Sequence, residues 1–255
     1  MQRRDFMYSA ILTSSAVASS GSVTHAAEST PSGVVPAESQ SFEEWLGAAR
    51  AAAISFLSEP RGREPERFVR FLLLWAATMP RPTPADVAWQ VVPGARERLE
   101  FAMVAAGRPF VVSMFRMAPG CLLPAHCHPG GGGVTICLDG TLDIQHFDLV
   151  DGAPPFSDTG KQATVRLESV TRLSADRYTV FTPQRSNLHQ LRAGPDGAVG
   201  VDFAVQWQGA GEFSFLRFED ERARDVTEVG ASLNGRWSGM SIADAYVRIG
   251  RHGDG

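Results

Sequence analysis

The chain has 255 residues, with 28 acidic against 24 basic side chains, a formal net charge of -4 at pH 7 and 44% hydrophobic residues. No basic run is dense enough to serve a polyanion such as nucleic acid, and beyond the amino terminus no apolar segment suggests a membrane span. The length suits one domain with additions.

The first segment, MQRRDFMYSAILTSSAVASSGSVTHAAEST, carries Arg3-Arg4 followed by Asp5-Phe6-Met7, a weakly apolar stretch, and Thr24-His25-Ala26-Ala27. This pattern predicts a twin-arginine export signal over residues 1–26, cleaved near Ala26, with the export machinery as partner and the periplasm as destination. A bilayer needs about 20 mainly apolar residues, and this stretch is too short and too rich in Ser and Thr to span one.

A Pro- and Ser-containing linker covers 27–40. The segment 41–80 reads as helical. Phe42, Trp45, Leu46, Ala49 and Ala53 recur at helical spacing behind Ser41 as N-cap, and Pro60 ends the run. PERFVRFLLLWAATM predicts a second helix, closed by Pro80, Pro82 and Pro84. Trp45, Phe71 and Trp75 form an aromatic stripe that reads as core or docking surface rather than a cofactor site.

From about Val87 strands take over, and residues 85–220 are expected to form a mainly β, double-sheet jelly-roll barrel. RPFVVSMFRMAP, GVTICLDGTLDIQHFDLVDG, KQATVRLESVTRLS, DRYTVFTP and AVGVDFAVQWQG alternate apolar and polar residues between Gly, Pro and Asp turns. GAPPFSDTG reads as a loop at a barrel rim. An extension covers 221–255, in which SIADAYVRIG predicts a short helix with Ser241 as N-cap.

The most informative stretch is GCLLPAHCHPGGGGVTICLDG. His126 stands six residues after Gly120, and Gly140 twelve residues after His128. On a strand, side chains alternate faces, so His126 and His128 point one way, about 7 Å apart along the strand, and Cys127 the other. Two imidazoles so placed can converge on one metal ion, the arrangement of the first half of a cupin site. Cupins of this spacing usually carry a Glu where Gly133 stands here. A site of imidazoles alone leaves a divalent ion its full charge and open positions, which suits an anionic thiolate. The best candidate for the third ligand is His189 in RYTVFTPQRSNLHQL, where an apolar run meets a Pro turn. Of the six histidines, His25, His146 and His252 are assigned no ligand role. Cys121, Cys127 and Cys137 all fall in the first metal-binding half. Either one disulfide plus a free thiol or three buried thiols is open, with reduced cysteines preferred.

From Pro119 to about Gln206 the chain resembles the thiol dioxygenases of the cysteamine dioxygenase and plant cysteine oxidase type, within the cupin superfamily. PGCLLPAHCHPG, the following LDGT, then TPQRSNLHQ and VDF carry the resemblance. It implies Fe(II) held by His126, His128 and His189, an acidic residue near the active site at Asp202, and O2 with a small thiol or an amino-terminal cysteine peptide as substrates. Arg185 and Asn187 are expected to hold the loop carrying His189. Cys127 stands where the family commonly has Asp. The family's Cys–Tyr crosslink has no counterpart, since EFSFLRF contains neither residue. The expectation is an exported non-haem iron enzyme that converts a thiol to a sulfinate. Another metal-dependent cupin enzyme acting on a small oxygenated molecule, or a non-catalytic periplasmic binding cupin, are the other readings.

The export signal gives a direct test. Replacing Arg3 and Arg4 together with Lys should leave the unprocessed precursor in the cytoplasm, and the wild-type mature chain should begin close to Ala27. Normal secretion of the Lys-Lys variant, read by fractionation and amino-terminal sequencing, would contradict the signal assignment.

Overall fold

A computed structural model describes residues 41–59, 64–82, 87–91, 98–105, 109–128, 130–152, 160–183, 187–206 and 214–238. The expected signal, the linker, the loop core at 153–159, Arg185 and the helix around Ser241 lie outside them.

Helix α1 (Phe42–Ser58) starts in a capping box. Glu44 N–H donates to Ser41 Oγ at 3.3 Å, and Ser41 N–H donates to Glu44 Oε2 at 2.8 Å, satisfying two otherwise orphaned backbone donors. Helix α2 (Pro65–Thr78) opens with a proline in its first turn, where the missing N–H costs nothing. Both end in the same way. Glu59 and Met79 adopt extended backbone immediately before Pro60 and Pro80, whose rings exclude the helical conformation from the preceding residue.

The strands are β1 (Gln90–Val91), β2 (Leu99–Ala105), β3 (Phe110–Met117), β4 (Leu122–Cys127), β5 (Gly131–Asp151), β6 (Gln162–Ser174), β7 (Tyr178–Phe181), β8 (Leu188–Gln206), β9 (Ser214–Phe218) and β10 (Ser232–Ser238). Two of them, β5 and β8, are long enough to serve two layers. Their first-to-last pairing runs antiparallel from Gly131↔Gln206 to Phe147↔Leu188, with register shifts near Asp139 and Thr141. One end of the pair is flanked by β3 and β7, the other by β4 and β6. The order β8-β4-β9-β10-β6-β5 then closes on itself through the β5–β8 ladder, so this layer has no open edge. At the bend in β5, Gly140 takes a positive φ of 70°, and a Cβ there would collide with the backbone oxygen of Gly197.

Strand alternation distributes the core. Phe110, Val112, Met114, Val134, Ile136, Val201, Phe203 and Val205 pack against Trp45, Phe68, Leu72 and Trp75 of the helices. A second cluster gathers Phe115, Met117, Cys121, Cys137, Leu142 and Leu191, and a third, containing Ala125, Cys127, Phe147, Leu167, Leu188, Leu216 and Trp237, draws on all six ring strands. The cysteines are all free and buried, and Cys127 and Cys137 lie in different clusters. No pair of them is bonded, and burial pushes the Cys127 thiol up to about 12 and the Cys137 thiol up to about 11.

The sheet also runs past residue 220, where the barrel was expected to end. β10 pairs with both β6 and β9, and Trp237 fills the third cluster. Leu233, Gly235 and Trp237 keep the period of two that a strand needs, hidden in the sequence by Asn234 and Gly235.

Trp45 is the hinge between helices and sheet. Its ring lies 5.7 Å from Phe203, 5.9 Å from Phe110 and 6.3 Å from Trp75, and its indole N–H donates to Thr78 Oγ1. Trp45→Ala should lower unfolding stability by about 3 kcal/mol or more, read as a reduced denaturation midpoint. A midpoint within error of wild type would show that the helices contribute nothing to the barrel.

Candidate metal centre

β4 and β8 pair so that His126 lies directly opposite His189. Their neighbours Ala125, Cys127 and Leu188 are in the third apolar cluster, so alternation turns both imidazoles to the other face. His128 follows two residues on, just past the end of β4. Asn187, two residues before His189, holds it there. Its Oδ1 accepts from His128 N–H at 2.6 Å, and its Nδ2 donates to the carbonyls of His128 and Gly131. Asn187 thus ties the end of β4 to the start of β5, so the loop it fixes is the one carrying His128.

The three rings crowd together, with centroids 4.5 Å apart for His126 and His189 and 5.2 Å for each of them to His128. One nitrogen from each lies within 4.8 Å of the others. All three are buried. Among the described residues this is the one such cluster of His, Cys, Asp or Glu, and it contains no carboxylate.

The donor set suits a metal. His126 Nδ1 lies 2.8 Å from the Pro124 carbonyl, which can only accept, so Nδ1 carries the proton and Nε2 keeps its lone pair. Burial pulls the His126 imidazole down to about 4, with the Pro124 bond opposing it. His128 is held well below the usual histidine range by burial and by the charge His126 would carry. Both are neutral at pH 7, the ligating form. Cys127 points away with a thiol too basic to ligate readily, as its strand position implies.

Gly133 explains the missing carboxylate. A Cβ built there would meet the Phe181 ring at 2.6 Å and the Phe203 carbonyl oxygen at 2.6 Å. Phe181 occupies the space above the glycine and stacks on His128, with centroids 4.6 Å apart, and lies 5.1 Å from the His189 ring. The position at which the sequence spacing leads one to expect a Glu is therefore a glycine facing an aromatic wall.

Asp202 lies in the helix-backed half of β8, across from Ser113 on β3 and Thr135 on β5. Val201 and Phe203 face the helices, so Asp202 faces the same side as Phe181. Thr135 Oγ1 donates to Asp202 Oδ1 at 2.6 Å. Burial raises the carboxyl to about 6, outweighing the Thr135 hydrogen bond. Thr135 in turn lies opposite Thr179 of β7, whose hydroxyl is 3.2 Å from His146 Nε2. The inner face of the sheet therefore carries a polar row, Asp202, Thr135, Thr179 and His146, which reaches the histidine cluster at the His146–His189 ring contact. Thr135 and Thr179 were detectable as inward positions once the apolar alternation of Val134, Ile136, Tyr178 and Val180 was assigned to the helices. Phe181 left no such signal, because an aromatic at a strand end reads as core.

Residues 88–203 match the sequence model of the PCO_ADO family, the cysteamine/plant cysteine oxidase family. No curated protein matches the chain. Similar solved structures include KdgF from Halomonas sp., at 13% identity over 49% of this chain and 94% of that one, with a TM-score of 0.35. The cupin domain of Cnp3 from Schizosaccharomyces pombe is similar at 12% identity, covering 50% and 74%, with a TM-score of 0.35. An RmlC-like cupin from Shewanella frigidimarina is similar at 14% identity, covering 50% and 90%, with a TM-score of 0.34.

The Phe181 wall makes a sharp expectation. Gly133→Glu should not create a fourth ligand. The side chain must displace Phe181 or the β8 backbone, at an overpacking cost of about 1–3 kcal/mol, and metal affinity should fall with it. Tighter Co(II) binding with an unchanged melting temperature would show that the space is available after all.

Proposed function

We propose that this protein is an Fe(II)-dependent thiol dioxygenase, a reading supported by the match of residues 88–203 to the model of the cysteamine/plant cysteine oxidase family, a family of dioxygenases. The reaction is RSH + O2 → RSO2⁻ + H⁺. Both oxygen atoms go to sulfur, which loses four electrons as O2 gains four. The observation that carries the reading is the buried cluster of His126, His128 and His189, which contains no carboxylate, with the Phe181 ring packed against Gly133.

When bound by those three imidazoles, iron supplies a redox-active Lewis acid at which sulfur and O2 are brought together. The chain's own part is electrostatic and steric. Three uncharged donors leave the cation's charge uncompensated, favouring an anionic sulfur over a neutral one. Phe181 excludes both a carboxylate and water from one side of the centre. Asp202, ionised at pH 7 and steadied by the Thr135 hydroxyl, accepts the thiol proton or holds a substrate ammonium. An acidic residue in that place suits a small aminothiol or an amino-terminal cysteine peptide. Export through the Arg3-Arg4 signal would put the activity in the periplasm.

Asp202→Asn tests the assignment. The replacement is nearly isosteric, so the iron-loaded variant should fold, keep its metal and lose about 100-fold or more in sulfinate formation, measured by mass spectrometry alongside thiol-dependent O2 uptake. Wild-type turnover should rise with pH through about 6 as Asp202 ionises, and the variant should lack that limb. The linkage sign is the reverse of an ion-paired carboxylate. A raised folded-state value means stability is highest below about 4, falls as pH rises to about 6 and is then level, so Asp202→Asn should be the more stable protein at pH 7, by at most about 3 kcal/mol. Unchanged turnover in the folded, iron-loaded variant would remove Asp202 from the chemistry. Absence of thiol-dependent O2 uptake in iron-loaded wild type, across aminothiols and cysteine peptides, would reject the reaction.

A further inference from the structure

A fourth imidazole stands against the cluster. His146 lies directly opposite His189 in the β5–β8 ladder, is only 3% exposed, and meets the His189 ring edge-on at a centroid distance of 6.2 Å and an interplanar angle of 70°. It is not among the converging ligand atoms. Both of its ring nitrogens are engaged elsewhere, Nδ1 at 3.2 Å from Ser169 Oγ and Nε2 at 3.2 Å from Thr179 Oγ1. Ser169 belongs to β6 and Thr179 to β7, the strands flanking β5 on its two halves. The ring is therefore tethered to both layers of the barrel, and it cannot turn about its own axis without losing two hydrogen bonds.

Each hydroxyl can donate or accept, so the tether holds in either tautomer of a neutral imidazole. Burying such a three-part polar arrangement gains little net stability over an apolar side chain of similar volume. Its geometric effect is specific. His126 is oriented by the Pro124 carbonyl, and His128 by Asn187 on its backbone and Phe181 on its face. His189, the ligand contributed by the other half of the motif, has the tethered edge of His146 on the flank facing β5. We infer that His146, clamped between Ser169 and Thr179, is a positioning residue that sets the ring orientation of His189 and thereby the geometry of the three-histidine centre. This rests on the reading of His126, His128 and His189 as metal ligands.

The test is anaerobic Co(II) titration of the full chain, following both affinity and the visible ligand-field spectrum, with melting curves of the metal-free proteins. His146→Leu should bind Co(II) about 10- to 100-fold more weakly and shift the spectrum, as loss of a ligand's supporting partner does. Thr179→Val keeps the imidazole and its volume but removes one tether, and should shift the spectrum in the same direction with a smaller loss of affinity. His146→Gln, able to reach one hydroxyl, should recover part of the affinity lost in His146→Leu. A folded His146→Leu protein with wild-type affinity and spectrum, and only a lower melting temperature, would overturn the proposal and make His146 a packing residue. Should His146→Leu fail to fold, Thr179→Val decides alone, and a wild-type spectrum there overturns it equally. Wild-type protein that binds no Co(II) would instead reject the metal centre itself, a failure separable from the first because it appears before any variant is compared.

Discussion

The antiparallel ladder between β4 and β8 is the constraint on which the rest of the site depends. It sets His126 against His189, and strand alternation then decides every neighbouring side chain's face. A slip of β4 by one residue would carry His126 into the apolar cluster of Ala125, Cys127 and Leu188 and bring the Cys127 thiol inward, while His189 on β8 kept its face. Desolvation penalises an imidazole far more in its charged form than in its neutral one, so the same burial keeps His126 and His128 neutral and able to ligate. Fold and donor chemistry are two consequences of one pairing.

The long strands β5 and β8 transmit this constraint to the second layer. Each contributes to both halves of the barrel, so Gly133, Thr135 and His146 on one, and His189 and Asp202 on the other, have their relative positions set by a single ladder. The helices add support from outside. By burying Val134, Ile136, Val201 and Phe203 they oblige the alternate residues Gly133, Thr135 and Asp202 to face the histidines. Phe181 packs over Gly133, the histidine cluster contains no carboxylate, and Asp202, its carboxyl raised by burial, lies on the same inward face.

Much of this was legible in the chain before any coordinates. The capping box at Ser41, the prolines closing both helices and the alternating strands from Val111 onward are local signals, and local signals survive into the fold. The three histidines were legible because their spacing from glycines is a strand-and-turn pattern rather than a composition. What escaped depends on partners distant in sequence. β10 is recognisable only once β6 and β9 are there to pair with it, and Phe181 acquires its role from a glycine nearly fifty residues earlier. His146 looked like an isolated histidine in an apolar strand because its meaning lies in the cross-strand neighbour His189 and in hydroxyls on two other strands.

X-ray absorption at the iron edge most directly tests the central claim, that three neutral imidazoles form a centre with room for sulfur. Iron-loaded wild-type protein, prepared without oxygen, should show three imidazole scatterers and no protein sulfur, and addition of an aminothiol should bring one sulfur into the first coordination sphere while the imidazoles remain. His189→Ala should lose the ordered imidazole shell. A carboxylate-dominated shell, a cysteine sulfur before thiol is added, or an unchanged spectrum in His189→Ala would contradict the account.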